Sequence, residues 1–533
     1  MGAAIIDLLR GGERAKDAPT LNFVRRGAAT SYTHTELFAR AAAIAAVINL
    51  RDVPAGTVVG LLFRSQEFQV LFYLACLLAG LCPAILTPFH TRLSRGVFDE
   101  SLSVALRGSL LAMIASDDDL PGLEARRAVL PGLGNLSLHR LPHASLRLEN
   151  MILQFSSGTT GLKKGVPIPA EALAAQLATY GNAIAISRSD HILSWLPLYH
   201  DMGFIACLNL PLYHGVSATL IDTFDWLAFP DLFLHEVTTR RATLSWNPNF
   251  FYSFMAERAD DERLAGVCLE SLRGLVNCSE PVTLQSQLRF RSRFAKYGLP
   301  PEVFWGCYAM AESTFALTHI TEADHGYRDD RTAVGTPALS VGRSLPGAHL
   351  IIVDERGGAL GEGAVGEVLV SSPFDFPGYA GSSSEPAAKK GEYFATGDLG
   401  YRIGDRYFIV GRKKDLVIIN GENFYPHQIE EAVGTLPEVL SGRVAAFGAF
   451  DERLQSERLV VLAETAIARP ARATLILGIR NMIAKAFFTT SVEVHLVSPG
   501  TLLKSSSGKI SRSRCRDWWL AQLRQPASEN FRP

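Results

Sequence analysis

The stretch that decides the fold is Ser156-Ser157-Gly158-Thr159-Thr160-Gly161-Leu162-Lys163-Lys164-Gly165, which directly follows the apolar run MILQF at 151–155. The apolar run predicts a strand, and the ten residues after it predict a loop at the end of that strand. Glycines let backbone N–H groups approach an anion, hydroxyls can donate to phosphate oxygens, and lysines supply positive charge. The spacing does not match GxxxxGK[ST], so this is not a Walker A loop. The pattern favours phosphate binding over its alternative, a polar turn of the kind found in any large protein.

Further motifs carry polar groups that suit a nucleotide. The segment SSSGKISR, 505–512, presents Lys509 on a hydroxyl-rich turn, and GRKKDLVIINGENFYPHQIE, 411–430, combines an arginine, paired lysines and a Gly-Glu-Asn turn. In TGDLGY, Asp398 can chelate a vicinal diol, and in AEST, Glu312 offers a hard oxygen ligand for Mg²⁺. Each motif alone also fits a surface turn, a turn cap or a solvated charge. Their combination and order along the chain are much more specific.

His200 and Asp201, in LPLYHDMG, form a candidate catalytic pair. Neighbours in sequence point apart on an extended segment, which argues against a working dyad. The sequence also lacks the GxSxG motif of a nucleophile elbow. A Ser-His-Asp hydrolase is therefore disfavoured.

Composition and charge narrow the class of protein. The 533 residues include 52 Lys plus Arg and 53 Asp plus Glu, giving a net charge of −1. This length predicts about three to five structural units, and 47% hydrophobic residues is a globular composition. The balanced charge gives no basic footprint for a nucleic-acid partner. Seven scattered cysteines without a CxxC pair indicate a reduced, cytoplasmic protein with neither a disulfide framework nor a zinc ribbon.

The sequence contains one run that resembles a membrane span. Residues 70–86 are uncharged, but Gly80 and Pro83 split the run. We predict a buried helix followed by a buried strand rather than a membrane anchor, because α/β interiors produce such runs. The N-terminus has Asp7 and Arg10 inside its only apolar stretch, which predicts no signal peptide.

The order of sequence patterns predicts three regions. Residues 36–50 predict a helix, 58–63 and 83–89 predict buried strands, and this alternation continues to about residue 320, which indicates parallel sheets covered by helices. Short alternating runs at 340–410 predict a small antiparallel barrel or sheet. Beyond Lys414, the α+β pattern of LVII, PHQIEEAVGTL and RVAAFGAF predicts a separate domain.

Together these motifs resemble those of the adenylate-forming (ANL) superfamily of acyl-CoA synthetases, peptide-synthetase adenylation domains and luciferases. The resemblance runs from SYTHTELFARAAAIAAVI to SSSGKISR, and LPLYHDMGFI, WNPNFFYSF, NCSEPV and YAMAEST look most like fatty-acyl-AMP ligases and their acyl-CoA synthetase relatives. It implies an α/β fold with a large N-terminal domain, 1–411, built from two α/β sheets and a β-barrel subdomain. A small mobile α+β lid would follow at 412–525, with a flexible tail at 526–533.

The resemblance implies roles for individual residues. The nucleotide would be bound by Ser156, Ser157, Gly158, Thr159, Thr160, Gly161, Lys164, Asn277, Cys278, Ser279, Glu280, Tyr308, Ala309, Met310, Ser313, Asp398 and Arg412. Within this set, Thr159, Thr160 and Lys164 would hold the β- and γ-phosphates. Asn277 to Pro281 and Tyr308 would enclose adenine, and Asp398 with Arg412 would bind the ribose.

The resemblance also implies the catalytic parts. Lys509 would bridge the substrate carboxylate and the α-phosphate, Glu312 would bind Mg²⁺, and His200 would be an aromatic gate near the acyl carboxylate. Lys414 would be the hinge, and Gly421 would line the pantetheine route in a second conformation.

Four positions depart from the family pattern. Lys163 and Leu503 stand where prolines are usual, Ala309 where a glycine is usual, and Gly306 where many relatives have an asparagine facing the adenine amine. None of these changes removes a charged group that the chemistry needs.

The implied activity is ATP-dependent conversion of a carboxylic acid to acyl-AMP with release of pyrophosphate, followed by transfer to the thiol of CoA or of an acyl carrier protein. Apolar segments 196–212 and 250–254 would wall the acyl pocket and favour a fatty acid. The short stretch between YAMAEST and SVGRSLPG favours CoA, while a carrier protein stays open. The alternatives are adenylation of an aromatic or amino acid, a non-catalytic nucleotide-binding relative, and a membrane-anchored protein.

Overall fold

The computed structural model describes residues 4–10, 20–47, 50–88, 110–117, 120, 125–130, 134–141, 147–155, 164–280, 282–320, 328–329, 338–381, 389–419, 422–451, 456–487, 489–504 and 509–523. The predictions made for Ser156–Lys163, Pro281, Gly421 and the tail concern residues outside these ranges.

A seven-stranded sheet forms the centre of the N-terminal region. All its neighbouring strands are parallel except the last two, which form an antiparallel hairpin. In spatial order the strands are Phe304–Gly306, Gly274–Asn277, Leu244–Asn247, His191–Ser194, Ser217–Ile221, Thr20–Arg25 and Ala28–Thr33. The four central ones are almost wholly buried, as expected of parallel strands covered on both faces.

A second, five-stranded sheet accounts for the uncharged run 70–86. Its order is Cys82–Ile85, Val58–Leu62, Met113–Ser116, Gly134–Arg140 and Ala125–Leu130, with the first three strands parallel and the last two antiparallel to their neighbours. The run forms most of the buried helix Gln66–Leu78 and then the buried strand Cys82–Ile85. The prediction of a helix followed by a strand is confirmed. Within the described ranges, no helix has the length and apolar character needed to cross a bilayer.

Helices cover both sheets. The helix predicted at 36–50 begins two residues earlier, because Thr33 and Glu36 cap it reciprocally: Thr33 Oγ1 accepts from Glu36 N at 3.2 Å, and Glu36 Oε2 accepts from Thr33 N at 2.8 Å. The described helices of the N-terminal region are Ile5–Leu9, His34–Val47, Gln66–Leu78, Ala170–Ala183, Leu210–His214, Thr223–Ala228, Asp231–Arg240, Asn249–Arg258 and Leu284–Phe294, with a π-helix at Met202–Asn209 and 3₁₀ turns at Leu50–Asp52, Asp261–Arg263, Ala295–Tyr297 and Ala311–Ser313.

The other described strands of this region form antiparallel sheets, in agreement with the barrel or sheet predicted at 340–410. A five-stranded sheet contains His349–Val353, Gly366–Ser371, Lys389–Lys390, Tyr393–Ile403 and Arg406–Arg412. Two-stranded pairs are Met151–Phe155 with Gly165–Pro169, Thr318–His319 with Arg343–Ser344, and Arg328–Asp329 with Ala338–Leu339. Phe155 pairs with Gly165, so the strands on either side of the predicted phosphate-binding stretch are antiparallel neighbours.

The chain beyond residue 415 forms a small α+β domain. A three-stranded sheet holds Val444–Asp451, Ser456–Glu464 and Val492–Val497, and a hairpin joins Val417–Ile419 to Glu422–Phe424. The helices are Pro426–Val433, Arg469–Phe487 and Arg512–Leu523. Its main apolar cluster, Val417 to Leu496, is separate from the large cluster of the N-terminal region, which ends near Ile409. All seven cysteines are free thiols, as the sequence predicts.

Candidate active site

A cleft lies across the carboxyl ends of the parallel strands, where open α/β sheets commonly bind ligands. Its volume is about 1710 Å³, and the small C-terminal domain forms one of its walls. The segments that follow five neighbouring strands line it. Representative lining residues are Pro197, Ser279 and Tyr308 in loops, and Phe224 and Phe250 at the starts of helices. The cleft therefore extends from the edge of the sheet near Tyr308 to the helix that holds Phe224.

Lys509 crosses this cleft from the C-terminal domain. Its Nζ donates to the backbone carbonyl oxygen of Ser279, 230 residues earlier, at 2.5 Å. Lys504 and Ile510 pair as an antiparallel bridge, so Lys509 lies on the loop of a small hairpin. Ser279 has a φ of 69°, a left-handed conformation that turns the chain sharply after the strand Gly274–Asn277. The predicted catalytic lysine and the predicted adenine wall thus meet.

Tyr308, Asp398 and Arg412 form a second group in the cleft. Tyr308 Oη donates to Asp398 Oδ2 at 2.5 Å, and Arg412 Nε lies 2.8 Å from Asp398 Oδ1. The strands Tyr393–Ile403 and Arg406–Arg412 pair Asp398 with Arg412, which explains why the two side chains meet. Burial and Asp398 raise the pKa of Tyr308 well above its usual range. A carboxylate oxygen can accept more than one hydrogen bond, so Asp398 keeps capacity for the hydroxyls of a ribose.

Glu312 is a largely covered carboxylate that lines the cleft. Its Oε1 accepts from Tyr379 Oη at 2.7 Å, and burial raises its pKa. Lys164 places its Nζ 4.7 Å from the centre of the Tyr379 ring, so Glu312 and Lys164 contact the same tyrosine. A carboxylate and a lysine in this arrangement suit a divalent cation that also binds phosphate oxygens. Mg²⁺ typically takes one or two protein carboxylates together with substrate phosphates, and Glu312 fits that role. The described residues contain no cluster of three or more His, Cys, Asp and Glu ligands.

The structure corrects the expectation that His200 and Asp201 point apart. His200 Nδ1 lies 2.6 Å from Asp201 Oδ1, and both residues line the cleft. The reason is that the segment is a turn and not a strand. Asp201 has φ −51° and ψ −45° and precedes the π-helix Met202–Asn209.

The predicted adenine segment divides into a buried part and a cleft-facing part. Asn277 is fully buried, where its Nδ2 donates to Asn249 Oδ1 at 2.9 Å, and Cys278 is also buried. Ser279 and Glu280 line the cleft. Glu280 Oε2 accepts from the backbone N–H of Phe250 at 3.0 Å, which fixes the start of the helix Asn249–Arg258.

The predicted residues around Glu312 also divide into a cleft-facing part and a buried part. Ala309 and Met310 line the cleft, whereas Ser313 points into the protein and its Oγ donates to Asp375 Oδ1 at 2.7 Å. Gly306 is buried, and a Cβ there would lie 3.0 Å from Ile320 Cδ1.

Lys414 lies in the 3₁₀ turn Lys413–Asp415, between the two main apolar clusters. Burial and the neighbouring Arg412 lower its pKa. On one side of it, Lys413 Nζ lies 3.4 Å from Glu367 of the antiparallel sheet; on the other, Asp415 Oδ2 lies 2.9 Å from Arg512 of the C-terminal domain. The residues before and after Lys414 are therefore bound to different parts of the protein, the antiparallel sheet and the C-terminal domain.

Sequence reasoning missed three residues that shape the site. The sequence analysis disfavoured Asp201 together with the His200–Asp201 pair, although Asp201 belongs to the motif LPLYHDMG, which resembles the family pattern. Tyr379 and Arg512 were not singled out because nothing local distinguishes them. Arg512 lies three residues after Lys509, and that spacing was the available signal.

Comparisons with known proteins agree with this architecture. A family model described as AMP-binding enzyme matches residues 10–380. The long-chain-fatty-acid–AMP ligase FadD26 of Mycobacterium marinum is 29% identical over 92% of this chain and 91% of its own. A Caulobacter vibrioides protein assigned as an acyl-CoA synthetase is 29% identical over 95% and 96% of the two chains.

Solved structures share the fold over almost the whole chain. One from a study of fatty acyl-adenylate ligases of E. coli and L. pneumophila has a TM-score of 0.83 and 26% identity, covering 98% of both chains. The fatty acid AMP ligase of Legionella pneumophila has a TM-score of 0.69 and 25% identity, covering 98% of this chain and 96% of its own. Since the family model spans well over half of the sequence, the protein belongs to the AMP-binding enzymes of the adenylate-forming (ANL) superfamily.

Proposed function

We propose that this protein is an ATP-dependent ligase that converts a hydrophobic carboxylic acid to acyl-AMP and passes the acyl group to a phosphopantetheine thiol. The observation that carries the proposal is the position of Lys509. A cation from the small domain reaches Ser279 at the end of a parallel strand, beside Tyr308, Asp398 and Glu312. The names of the relatives, fatty-acid–AMP ligases and an acyl-CoA synthetase, support the same chemistry.

The first step is limited by electrostatics. An anionic carboxylate must attack the α-phosphorus of a polyanionic nucleotide, and the charge must be offset inside a cleft from which water is excluded. Lys509 supplies one positive charge at that point. Mg²⁺, held by Glu312 and the phosphates, would neutralise charge on the leaving pyrophosphate. Asp398 and Arg412 would hold the ribose, and Tyr308 would stack on the adenine.

The acyl group is assigned to the part of the cleft away from Tyr308. Trp195, Phe224, Leu227, Phe250 and Phe254 line it there. Trp195 is fixed, because it stacks on Trp226 with ring centroids 3.6 Å apart and donates from Nε1 to Asn247 Oδ1 at 2.8 Å. These side chains favour an aliphatic acid over an amino acid. Of the segment 250–254 predicted to wall the pocket, Phe251 and Tyr252 are instead buried in the core.

The second step needs the lysine to leave. A thiol can approach the acyl-adenylate once Lys509 withdraws, and rotation of the C-terminal domain about Lys414 would move it away and bring the Gly421 turn to the cleft. Two half-reactions in one site account for a mobile second domain. CoA and a carrier protein share the reacting group, and both belong in the test.

The test is acid-dependent ATP–pyrophosphate exchange over a panel of acids, followed by thioester formation with CoA and with a carrier protein. Lys509→Ala should lower exchange by about 10²–10³-fold, which is the typical cost of removing one preorganised group that stabilises charge in the transition state. Thiolysis of a supplied acyl-adenylate should be largely retained. Lys485→Ala, an exposed residue on the helix Arg469–Phe487, is the matched control and should change neither step. Equal loss of both steps in Lys509→Ala would contradict the rotation model, and exchange with amino acids alone would contradict the fatty substrate.

A further inference from the structure

The turn after the strand His191–Ser194 presents an imidazole and a carboxylate together to the cleft. His200 Nδ1 lies 2.6 Å from Asp201 Oδ1, and the His200 side chain is largely covered but lines the cavity. Nδ1 is a buried atom without a hydrogen-bond partner, so its contact with Asp201 is an ion-pair distance only, whereas Nε2 is not among the buried, unpartnered polar atoms of the described residues. With Nδ1 at the carboxylate, Nε2 is the ring nitrogen left for a molecule in the cleft.

Asp201 is held in place as an anion. Its Oδ1 also accepts from the backbone N–H of Met202 at 2.8 Å, at the start of the π-helix. Burial alone would raise the pKa of Asp201, but His200, the Met202 N–H and Lys509 outweigh it and keep the pKa below its ordinary value. The charged or titratable groups facing this carboxylate from other elements are Lys509, Glu312 and Cys307.

We propose that His200 is the general base that removes the proton from the acceptor thiol in the second half-reaction, and that Asp201 is its positioning residue. The inference rests on the proposed function, since it concerns the thiol that this function requires. It adds a proton-transfer role to a residue for which the family resemblance implies only a gate.

His200 Nε2 takes the thiol proton, and the resulting thiolate sulfur forms a bond to the carbonyl carbon of the acyl-adenylate. The bond from that carbon to the phosphate oxygen breaks and its electron pair leaves with AMP. The imidazolium then loses its proton to solvent once the thioester has departed, while Asp201 stays ionised throughout.

A base is useful here because the thiolate, not the thiol, is the nucleophile. An ordinary thiol has a pKa of about 8.5, so only a few per cent is ionised near neutral pH. A positioned base typically contributes about 10²–10⁴-fold. Imidazole is the side chain whose ordinary titration lies closest to neutrality, which suits it to this role.

The experiment separates the two half-reactions in the full-length protein. Wild type, His200→Phe and Asp201→Asn are each given a synthetic acyl-adenylate of the preferred acid, and single-turnover thiolysis is followed from pH 6 to 9. Pantetheine serves as a thiol of ordinary acidity, and trifluoroethanethiol, used where it is ionised, as a thiol that needs no base. Phenylalanine keeps a flat ring at position 200. His235→Phe, whose ring lies outside the cleft lining, is the matched control.

We expect His200→Phe to lower the ratio of pantetheine thiolysis to ATP–pyrophosphate exchange by about 100-fold or more at pH 7. The deficit should shrink to less than about fivefold with the ionised thiol. Asp201→Asn should lower the same ratio by a smaller factor, again with little deficit for the ionised thiol, because the imidazole loses the carboxylate that orients it. His235→Phe should match wild type.

Other results overturn the proposal. Equal deficits with both thiols would mean that the ring acts only as a gate, and an undiminished pantetheine rate would mean that no base is needed. Exchange without any thiolysis in the wild type would remove the transfer step and the base with it. Absence of exchange would instead contradict adenylation itself, so the two failures are distinguishable.

Discussion

Arg512 holds together the parts of the C-terminal domain that flank Lys414 and Lys509, the proposed hinge and the proposed catalytic lysine. Its Nη1 lies 2.9 Å from Asp415 Oδ2, and its Nε and Nη2 contact the two oxygens of Glu430 at 2.8 and 2.7 Å. Asp415 follows Lys414, and Arg512 is three residues beyond Lys509. Burial alone would lower the pKa of Arg512, but the two carboxylates outweigh it and raise the pKa above its ordinary value.

We predict that Arg512→Met destabilises this domain by about 3 kcal/mol. Removing one member of a buried ion pair costs about 3–5 kcal/mol, because the remaining charges are left without a partner. We expect the lower end of this range, because 26% of the Arg512 side chain and 16–18% of the side chains of Asp415 and Glu430 stay exposed. Methionine keeps an unbranched apolar stem of similar length, so the change reports mainly on charge.

The assay is native-state hydrogen exchange of amides in the helix Arg512–Leu523 and the strand Val444–Asp451. A loss of about 3 kcal/mol corresponds to exchange about 150-fold faster where opening limits exchange, at 1.36 kcal/mol for each factor of ten. Amides of Leu244–Asn247 in the large domain should not change. Arg516→Met, an exposed arginine on the same helix, is the matched control and should stay within about 0.5 kcal/mol of wild type.

The double variant Arg512→Met, Glu430→Gln tests the stated cause. If the cost arises from an orphaned carboxylate, removing that charge should recover part of the protection lost in the single variant. Exchange less than about threefold faster in Arg512→Met would refute the reasoning, and so would a double variant that is less protected than the single one.

Two further predictions concern the cleft. Tyr308→Phe removes the hydroxyl that donates to Asp398 at 2.5 Å; a hydrogen bond to a charged group is worth about 1.5–3 kcal/mol, so the free energy of unfolding measured with urea should fall by about that amount, and a fall below about 0.5 kcal/mol would contradict this. Burial raises the pKa of Glu431, which faces Thr283 across the domain interface, from 4.5 to about 7. The folded protein then keeps a proton that the unfolded chain has lost, so the free energy of unfolding should fall as pH rises from about 4.5 to 7, by up to about 3 kcal/mol. Glu431→Gln should flatten that part of the stability profile measured by urea unfolding, whereas Glu422→Gln, at an exposed residue, should not; a wild-type-like slope in Glu431→Gln would contradict the assignment.

The sequence predicted elements whose pattern is local. The run 70–86 was assigned correctly because helix length, Gly80 and the following strand are all visible in consecutive residues. The helix at 36–50 was found, and its start was misplaced by two residues because the Thr33–Glu36 capping box was not used. Local sequence was therefore sufficient to predict that a helix or strand exists, but less reliable for predicting where it begins and ends.

The site depends on contacts that no local pattern contains. Tyr308 and Asp398 are 90 residues apart, and Lys509 and Ser279 are 230 apart. Family resemblance, and not periodicity, indicated that these residues would share a site. The clearest error, on His200 and Asp201, came from assuming an extended backbone where the chain turns into a π-helix; two dihedral angles decide whether adjacent side chains diverge or meet.

The charges of the cleft suggest why, in the proposed mechanism, the C-terminal domain would take part in the first step and leave before the second. Asp201, Glu312 and Asp398 bring carboxylates to a site that, under the proposal, also accepts a triphosphate and an acid. Arg412 compensates Asp398 at 2.8 Å, but Asp201 and Glu312 influence each other and depend on cations from elsewhere. Lys509 near Asp201, and a divalent ion at Glu312, would make the cleft receptive to anions. After pyrophosphate had left, the same lysine would obstruct the approach of the thiol. One moving cation would therefore serve the anionic step by its presence and the transfer step by its absence, which a fixed lysine on the large domain could not do.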